Sequence, residues 1–149
     1  MTRTSAEHER GLIDTNIVIL RKWIPAGTLP AEIAISTVTL GEMAASPHYV
    51  VGDDLEASDE RARRVDALQR VEGEFEPLPY DVEAARAFGR ISAAVLAIGR
   101  KPRCRVADLQ IAAVAAANRL PLYTTNPDDY AGLDDIVQIV AVQRPSGDA

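Results

Sequence analysis

Short apolar runs alternate with longer amphipathic or alanine-rich segments along most of the chain, and this alternation restricts the fold more than any other feature. The run that begins at Gly11 and ends on Asp14 is followed by residues 15–23, where Ile17, Leu20 and Ile24 keep helical spacing. Residues 33–36 repeat the theme, with a helix expected over 37–45 and Ser46-Pro47 as its stop. Val65, Leu68 and Val71 mark the apolar stripe of a charged helix that Ser58 would cap. Residues 75–80 read as a short strand whose two prolines push it to a sheet edge or a strand end. Asp81 then caps a helix to about Ile98, with Ala84, Ala87, Phe88, Ile91, Val95 and Ile98 on its buried face. Residues 106–118 form an alanine-rich helix expected at the centre of the fold; residues 120–125 and 136–142 are the last strands. Strands separated by long helices require parallel crossovers and cover both faces of the sheet. The expected class is α/β, a three-layer α/β/α sandwich with a mostly parallel central sheet.

A chain of 149 residues fits one such domain, placed at residues 11–142 between a polar N-terminal extension, 1–10, and a flexible tail, 143–149. The hydrophobic share of 47% excludes a disordered chain, and no apolar run approaches the roughly 18 to 20 residues of a bilayer span, so a cytoplasmic location with no membrane contact is expected. Cys104 stands alone, which excludes an intramolecular disulfide and a cysteine-built zinc cluster. A net charge of −6 argues against a uniformly basic surface for nucleic acid. Locally, however, Arg100, Lys101, Arg103 and Arg105 place four positive charges within six residues, immediately before Asp108. They form the best-placed candidate for phosphate contacts, with an ordinary solvated loop as the alternative.

Ligands of an open parallel sheet bind beyond the carboxyl ends of its strands. Asp14 ends the first run, Glu42 follows the second, Asp108 opens the alanine-rich helix, and Asp128 with Asp129 follows residues 120–125. Carboxylates gathered in one crevice repel one another unless a cation sits among them, and oxygen ligands suit Mg²⁺ or Mn²⁺. Such a cation activates water and neutralises charge on a phosphoryl oxygen. Each acid also has an ordinary structural reading. Asp14 would cap the helix at Thr15, and Thr39-Leu-Gly-Glu42 fits a capping box. Asp108 suits a first helical turn beside Arg105, and Asn126-Pro127 resembles an N-cap with proline at the first helical position.

Four strings carry a resemblance to the PIN-domain ribonucleases, specifically the VapC toxins of bacterial toxin–antitoxin pairs. They are Leu12-Ile-Asp14-Thr15-Asn16-Ile-Val-Ile19, Ser36-Thr-Val-Thr-Leu-Gly-Glu42-Met43, Val106-Ala-Asp108-Leu-Gln-Ile-Ala-Ala113 and Tyr123-Thr-Thr-Asn126-Pro-Asp-Asp129-Tyr130. Their order and spacing are family-like. The resemblance implies that Asp14, Glu42, Asp108 and Asp129 form a catalytic, metal-binding quartet supported by Thr15 and Asn126. It further implies an Mg²⁺- or Mn²⁺-dependent endoribonuclease acting on tRNA or ribosomal RNA, a cognate VapB antitoxin as partner, and a homodimer. The fourth string departs from the family in its paired acids, of which Asp129 is preferred to Asp128, and in Tyr130, where the family more often has phenylalanine.

Two other readings compete. A haloacid-dehalogenase-like phosphatase needs a second aspartate where Asn16 stands, and a receiver domain needs a late lysine that neither Lys22 nor Lys101 supplies. The remaining alternative is a catalytically inactive RNA- or protein-binding module whose acids serve as caps or a docking surface.

Overall fold

The computed structural model describes residues 9–146, so the expectations for residues 1–8 and 147–149 lie outside the described residues. Four strands form one parallel sheet: β1 (Arg10–Ile13), β2 (Glu32–Ala34), β3 (Leu122–Thr124) and β4 (Ile139–Ala141), in the spatial order β2-β1-β3-β4. The helices are α1 (Thr15–Leu20), α2 (Thr37–Ala45), α3 (Leu55–Glu74), α4 (Val82–Ala97) and α5 (Val106–Ala117).

Successive strand residues point to opposite faces, and here both faces are buried. Leu12, Ala34 and Leu122 join one core with Ala87, Ile91, Leu109 and Val114 of α4 and α5. Their neighbours Ile13, Ile35 and Tyr123 join a second core with Ile17, Met43 and Val71 of α1, α2 and α3. Two cores on opposite sides of one sheet make the three-layer α/β/α sandwich. In α5 alanines permit burial around most of the circumference, and Leu109, Ile111 and Val114 are completely inaccessible. Truncating such a residue to alanine costs about 2–5 kcal/mol. Gly11 lies against Tyr123 so closely that a Cβ there would stand 2.6 Å from the ring. Only glycine fits.

Several elements differ from the sequence expectations. Residues 75–80 supply no strand: only Leu78 pairs, in a single parallel bridge to Ser36, because Pro77 and Pro79 flank it without N–H donors. Helix α3 starts before Ser58; Asp54 is its cap, accepting the Ala57 amide at 2.8 Å. Residues 21–23 leave the α-helix as a 3-10 turn, and the last strand is confined to residues 139–141 because Ile136 and Val137 turn back to bond Leu133. Ile98, expected in the core, is 46% exposed past the end of α4. Arg10, assigned to the N-terminal extension, opens β1 and pairs with Glu32.

No helix among the described residues is long and apolar enough to cross a membrane.

Candidate active site

The sheet reverses direction of growth at β1 and β3: the chain leaves β1 for β2 on one side and returns to β3 on the other. The crevice at such a switch point opens at the strand carboxyl ends. Asp14 stands directly after β1, and Thr124, Asn126 and Asp129 stand at or after the end of β3. From the flanking helices α2 brings Glu42 and α5 brings Asp108. Asp14, Thr15, Glu42 and Asp108 line one cleft of about 1000 Å³ that runs on between α1 and α3 past Trp23, Arg63 and Arg64.

Asp14 is buried, and it is also a helix cap: its Oδ1 accepts the Ile17 amide at 3.1 Å. The capping reading and the site reading therefore hold together. Burial pushes its carboxyl upward, and the Thr124 hydroxyl and Ile17 amide oppose the rise by bonding the charged form. Thr124 is itself oriented, since its Oγ1 accepts the Asn126 amide at 3.0 Å and so directs its proton elsewhere. Asn126 thus acts through its backbone.

Glu42 does not reach back to an amide. Ser36 is the cap of α2, accepting the Thr39 amide at 3.1 Å, so the capping-box expectation at Thr39 is overturned by a start three residues earlier. Glu42 is exposed, and its Oε1 accepts the Thr15 hydroxyl at 2.6 Å. Because that proton is committed, Thr39 must be the donor in its 3.0 Å contact with Thr15. A hydroxyl relay therefore runs from buried Thr39 through Thr15 to the Glu42 carboxylate.

Asp108 lies in the first turn of α5, where the macrodipole favours negative charge, yet its pKa is pushed up to about 6. Burial contributes most, followed by the charges of Asp129, Glu42 and Asp14. Asp108 thus feels the charges of the other three acids, and Asp14 feels that of Asp129. Asp128 does not belong to this group: its side chain is 83% exposed and bonds Arg100, whereas Asp129 faces Asp14 and Asp108.

The basic segment is not one free patch. Arg100 bonds the Asp128 carbonyl at 2.6 Å, and Arg105 bonds Asp129 Oδ1 at 2.5 Å while keeping 3.9 Å from Asp108. Lys101 and Arg103 are exposed and make no ion pair among the described residues. Sequence reasoning missed Thr39 and Thr124, buried threonines whose only signal was their place beside the second and fourth motifs.

With Asp129 turned to Arg105, no three acidic, histidine or cysteine side chains among the described residues are drawn tightly enough to cage an ion. The chemistry of the residues nevertheless fits a hard cation. Every donor is oxygen, the charges repel, and the buried Tyr130 hydroxyl, which eases the charge of Asp14, makes no close hydrogen bond among the described residues. An unsatisfied buried hydroxyl costs about 1–3 kcal/mol.

A parallel sheet with carboxylates in the crevice at its switch point offers oxygen ligands of the kind a hard cation takes. Residues 12–135 match the PIN domain family. The chain is 32% identical over 136 residues to Ribonuclease VapC5 of Mycobacterium tuberculosis, covering 89% of this chain and 94% of that protein. Among solved structures it is similar to VapBC-5 of Mycobacterium tuberculosis, a member of the VapBC family of toxin–antitoxin systems. That match has a TM-score of 0.74 and 33% identity over 90% of this chain and 99% of that one. VapBC-1 from nontypeable Haemophilus influenzae shares the fold, with a TM-score of 0.67 and 20% identity over 89% of this chain and 97% of that one. The chain belongs to the PIN-domain family. Within it, the chain stands with the VapC proteins.

Proposed function

We propose that this protein is the toxin of a toxin–antitoxin pair, a cytoplasmic, Mg²⁺- or Mn²⁺-dependent endoribonuclease acting on tRNA or ribosomal RNA. The observation that carries the reading is that Asp14, Glu42 and Asp108, from separate elements, line one cleft, where the charges of Asp14, Glu42 and Asp129 bear on Asp108. The named ribonuclease relative and the toxin–antitoxin structure support it.

A bound divalent cation would supply an acidified water and a charge to neutralise the phosphoryl oxygens. Asp14 and Asp108 would be its direct ligands. Asp14 is held by the Ile17 amide and the Thr124 hydroxyl, and Asp108 by the rigid start of α5. Asp129 completes the oxygen set once it leaves Arg105, as ligand to the same ion or to a second one. Glu42 either joins the ligands or takes the proton of the attacking water. The Thr15 hydroxyl fixes one of its oxygens, and the other carries no bond among the described residues. Lys101 and Arg103, together with Arg100 and Arg105 when released from their carboxylates, contact RNA phosphates.

The cleft between α1 and α3 accepts a segment of a VapB-type antitoxin. Ile19 and Trp23 offer it apolar surface at 59% and 43% exposure. The working unit is a homodimer.

Labelled RNA incubated with Mn²⁺ tests the reading. Wild type cleaves it, and Asp14→Asn and Asp108→Asn do not. RNA left intact by metal-loaded wild type would favour an inactive binding module instead.

A further inference from the structure

Three buried hydroxyls, those of Ser92, Thr125 and Tyr130, make no close hydrogen bond among the described residues, although the Tyr130 hydroxyl still eases the charge of Asp14. The hydroxyl of Tyr130 is the one that lies in the electrostatic reach of Asp14, Asp108, Asp129 and Glu42. Its ring is 2% exposed and packs into the core that holds Leu12, Leu109 and Leu133. The backbone is fixed as well, at the end of the 3-10 turn Pro127–Tyr130, with the Tyr130 carbonyl accepting the Leu133 amide. The hydroxyl is therefore shielded from bulk solvent and stays directed at the acids.

Asp14 is its nearest charged neighbour in effect, ahead of the other three acids. One Asp14 oxygen already accepts the Ile17 amide, and the Thr124 hydroxyl bonds the same carboxylate. A phenol has one proton to donate and lone pairs to accept with. Asp14 can take the proton, but none of the acids, when ionised, can donate to the lone pairs. What would satisfy them is a donor brought in from outside the chain, and a hard cation enters a carboxylate site still carrying waters that are strong donors.

We propose that the Tyr130 hydroxyl is a positioning group of the acidic site, donating to the Asp14 carboxylate and accepting from a water that enters with the divalent cation. The proposal rests on the reading of the four acids as a cation site. It assigns the hydroxyl a part in holding the ion's shell against Asp14, as outer partners of metal sites do.

Tyr130→Phe removes only the oxygen and keeps the ring. Mn²⁺ is titrated calorimetrically into wild type, Tyr130→Phe and Asp108→Asn, and the cation-free proteins are melted in parallel. Wild type is expected to bind, Asp108→Asn to lose binding, and Tyr130→Phe to bind roughly tenfold more weakly. The cation-free Tm of Tyr130→Phe should stay close to that of wild type, because loss of the donor to Asp14 is offset by removal of a buried oxygen whose lone pairs are unmet. Wild-type affinity in Tyr130→Phe, with binding still lost in Asp108→Asn, overturns the role of the hydroxyl alone. A fall in cation-free Tm large enough to account for the lost affinity assigns the hydroxyl to the stability of the fold and not to the cation, and also overturns the proposal. Absence of Mn²⁺ binding by wild type overturns the cation site and this inference with it.

Discussion

The guanidinium of Arg105 bonds Asp129 Oδ1 at 2.5 Å and stands 3.9 Å from Asp108 Oδ2, so one internal cation already bridges two of the four clustered acids. A single positive charge cannot balance them all, as the raised pKa of Asp108 shows. The guanidinium and a divalent cation compete for the same oxygens. Because the Arg105 side chain is 44% exposed, the ion pair contributes only about 0.5–1 kcal/mol. Arg105→Ala should therefore tighten Mn²⁺ binding roughly two- to fivefold. Isothermal titration checks this, and an unchanged or weaker affinity would show that Arg105 does not compete.

Asp108 makes the cation-free protein sensitive to pH. Its folded value of about 6 lies above the 3.8 of an ordinary aspartate, so the folded state holds the proton more tightly than the unfolded state. Wild-type stability relative to Asp108→Asn is therefore greatest below about pH 4 and is lost as pH rises through 6. Above pH 7 Asp108→Asn should be the more stable by on the order of 1 kcal/mol, a value reduced for the side chain's partial exposure. Denaturant titrations of both proteins from pH 4 to 8 without divalent ions test the trend. Parallel curves would refute it.

Thr15→Val keeps the shape of the side chain and removes the donor to Glu42. The hydrogen bond is partly solvated, so stability should change by about 1 kcal/mol or less. Cleavage should suffer more, with kcat falling roughly tenfold and KM nearly constant, if Glu42 must be held to accept a proton. Loss of Tm without loss of kcat would make the relay from Thr39 purely structural.

Gly11→Ala drives a Cβ into the buried Tyr123 ring, 2.6 Å from one carbon and 2.9 Å from another. Tyr123 sits on β3 opposite Ile13, beside the strand end that bears Asp14, so strain is expected at the site as well. Destabilisation of about 1–3 kcal/mol should appear as a lower Tm, by roughly 2–4 °C per kcal/mol. A wild-type Tm would mean that the strands separate easily.

Much of this arrangement was legible from local pattern. Period and capping residues placed α2, α4 and α5 within a residue or two, because each has a side-chain or proline signal at an end and an apolar face of its own. The short strands were overextended. A strand is defined by its partner's hydrogen bonds; in residues 75–80 the two prolines marked the limit of pairing, whereas nothing in residues 136–142 records that the neighbouring strand pairs with only part of them. The same limit applied to caps: Asp54 and Ser58 are equally good capping residues, and the choice fell to Asp54 where Arg61 ties α3 to the carbonyls of Val50 and Gly52.

The sequence by itself determined the class of fold and marked Asp14, Glu42, Asp108 and the Asp128–Asp129 pair as acids that follow strand ends, since periodicity and strand-end position are properties of neighbouring residues. Only the tertiary structure decided which acids meet, that Asp129 and not Asp128 joins Asp14 and Asp108, and that Arg105 lies between two of them. It alone also set Thr39, Thr124 and Tyr130 behind the carboxylates. Electrostatic coupling and burial depend on distance through space, and folding brings together residues that the chain keeps far apart.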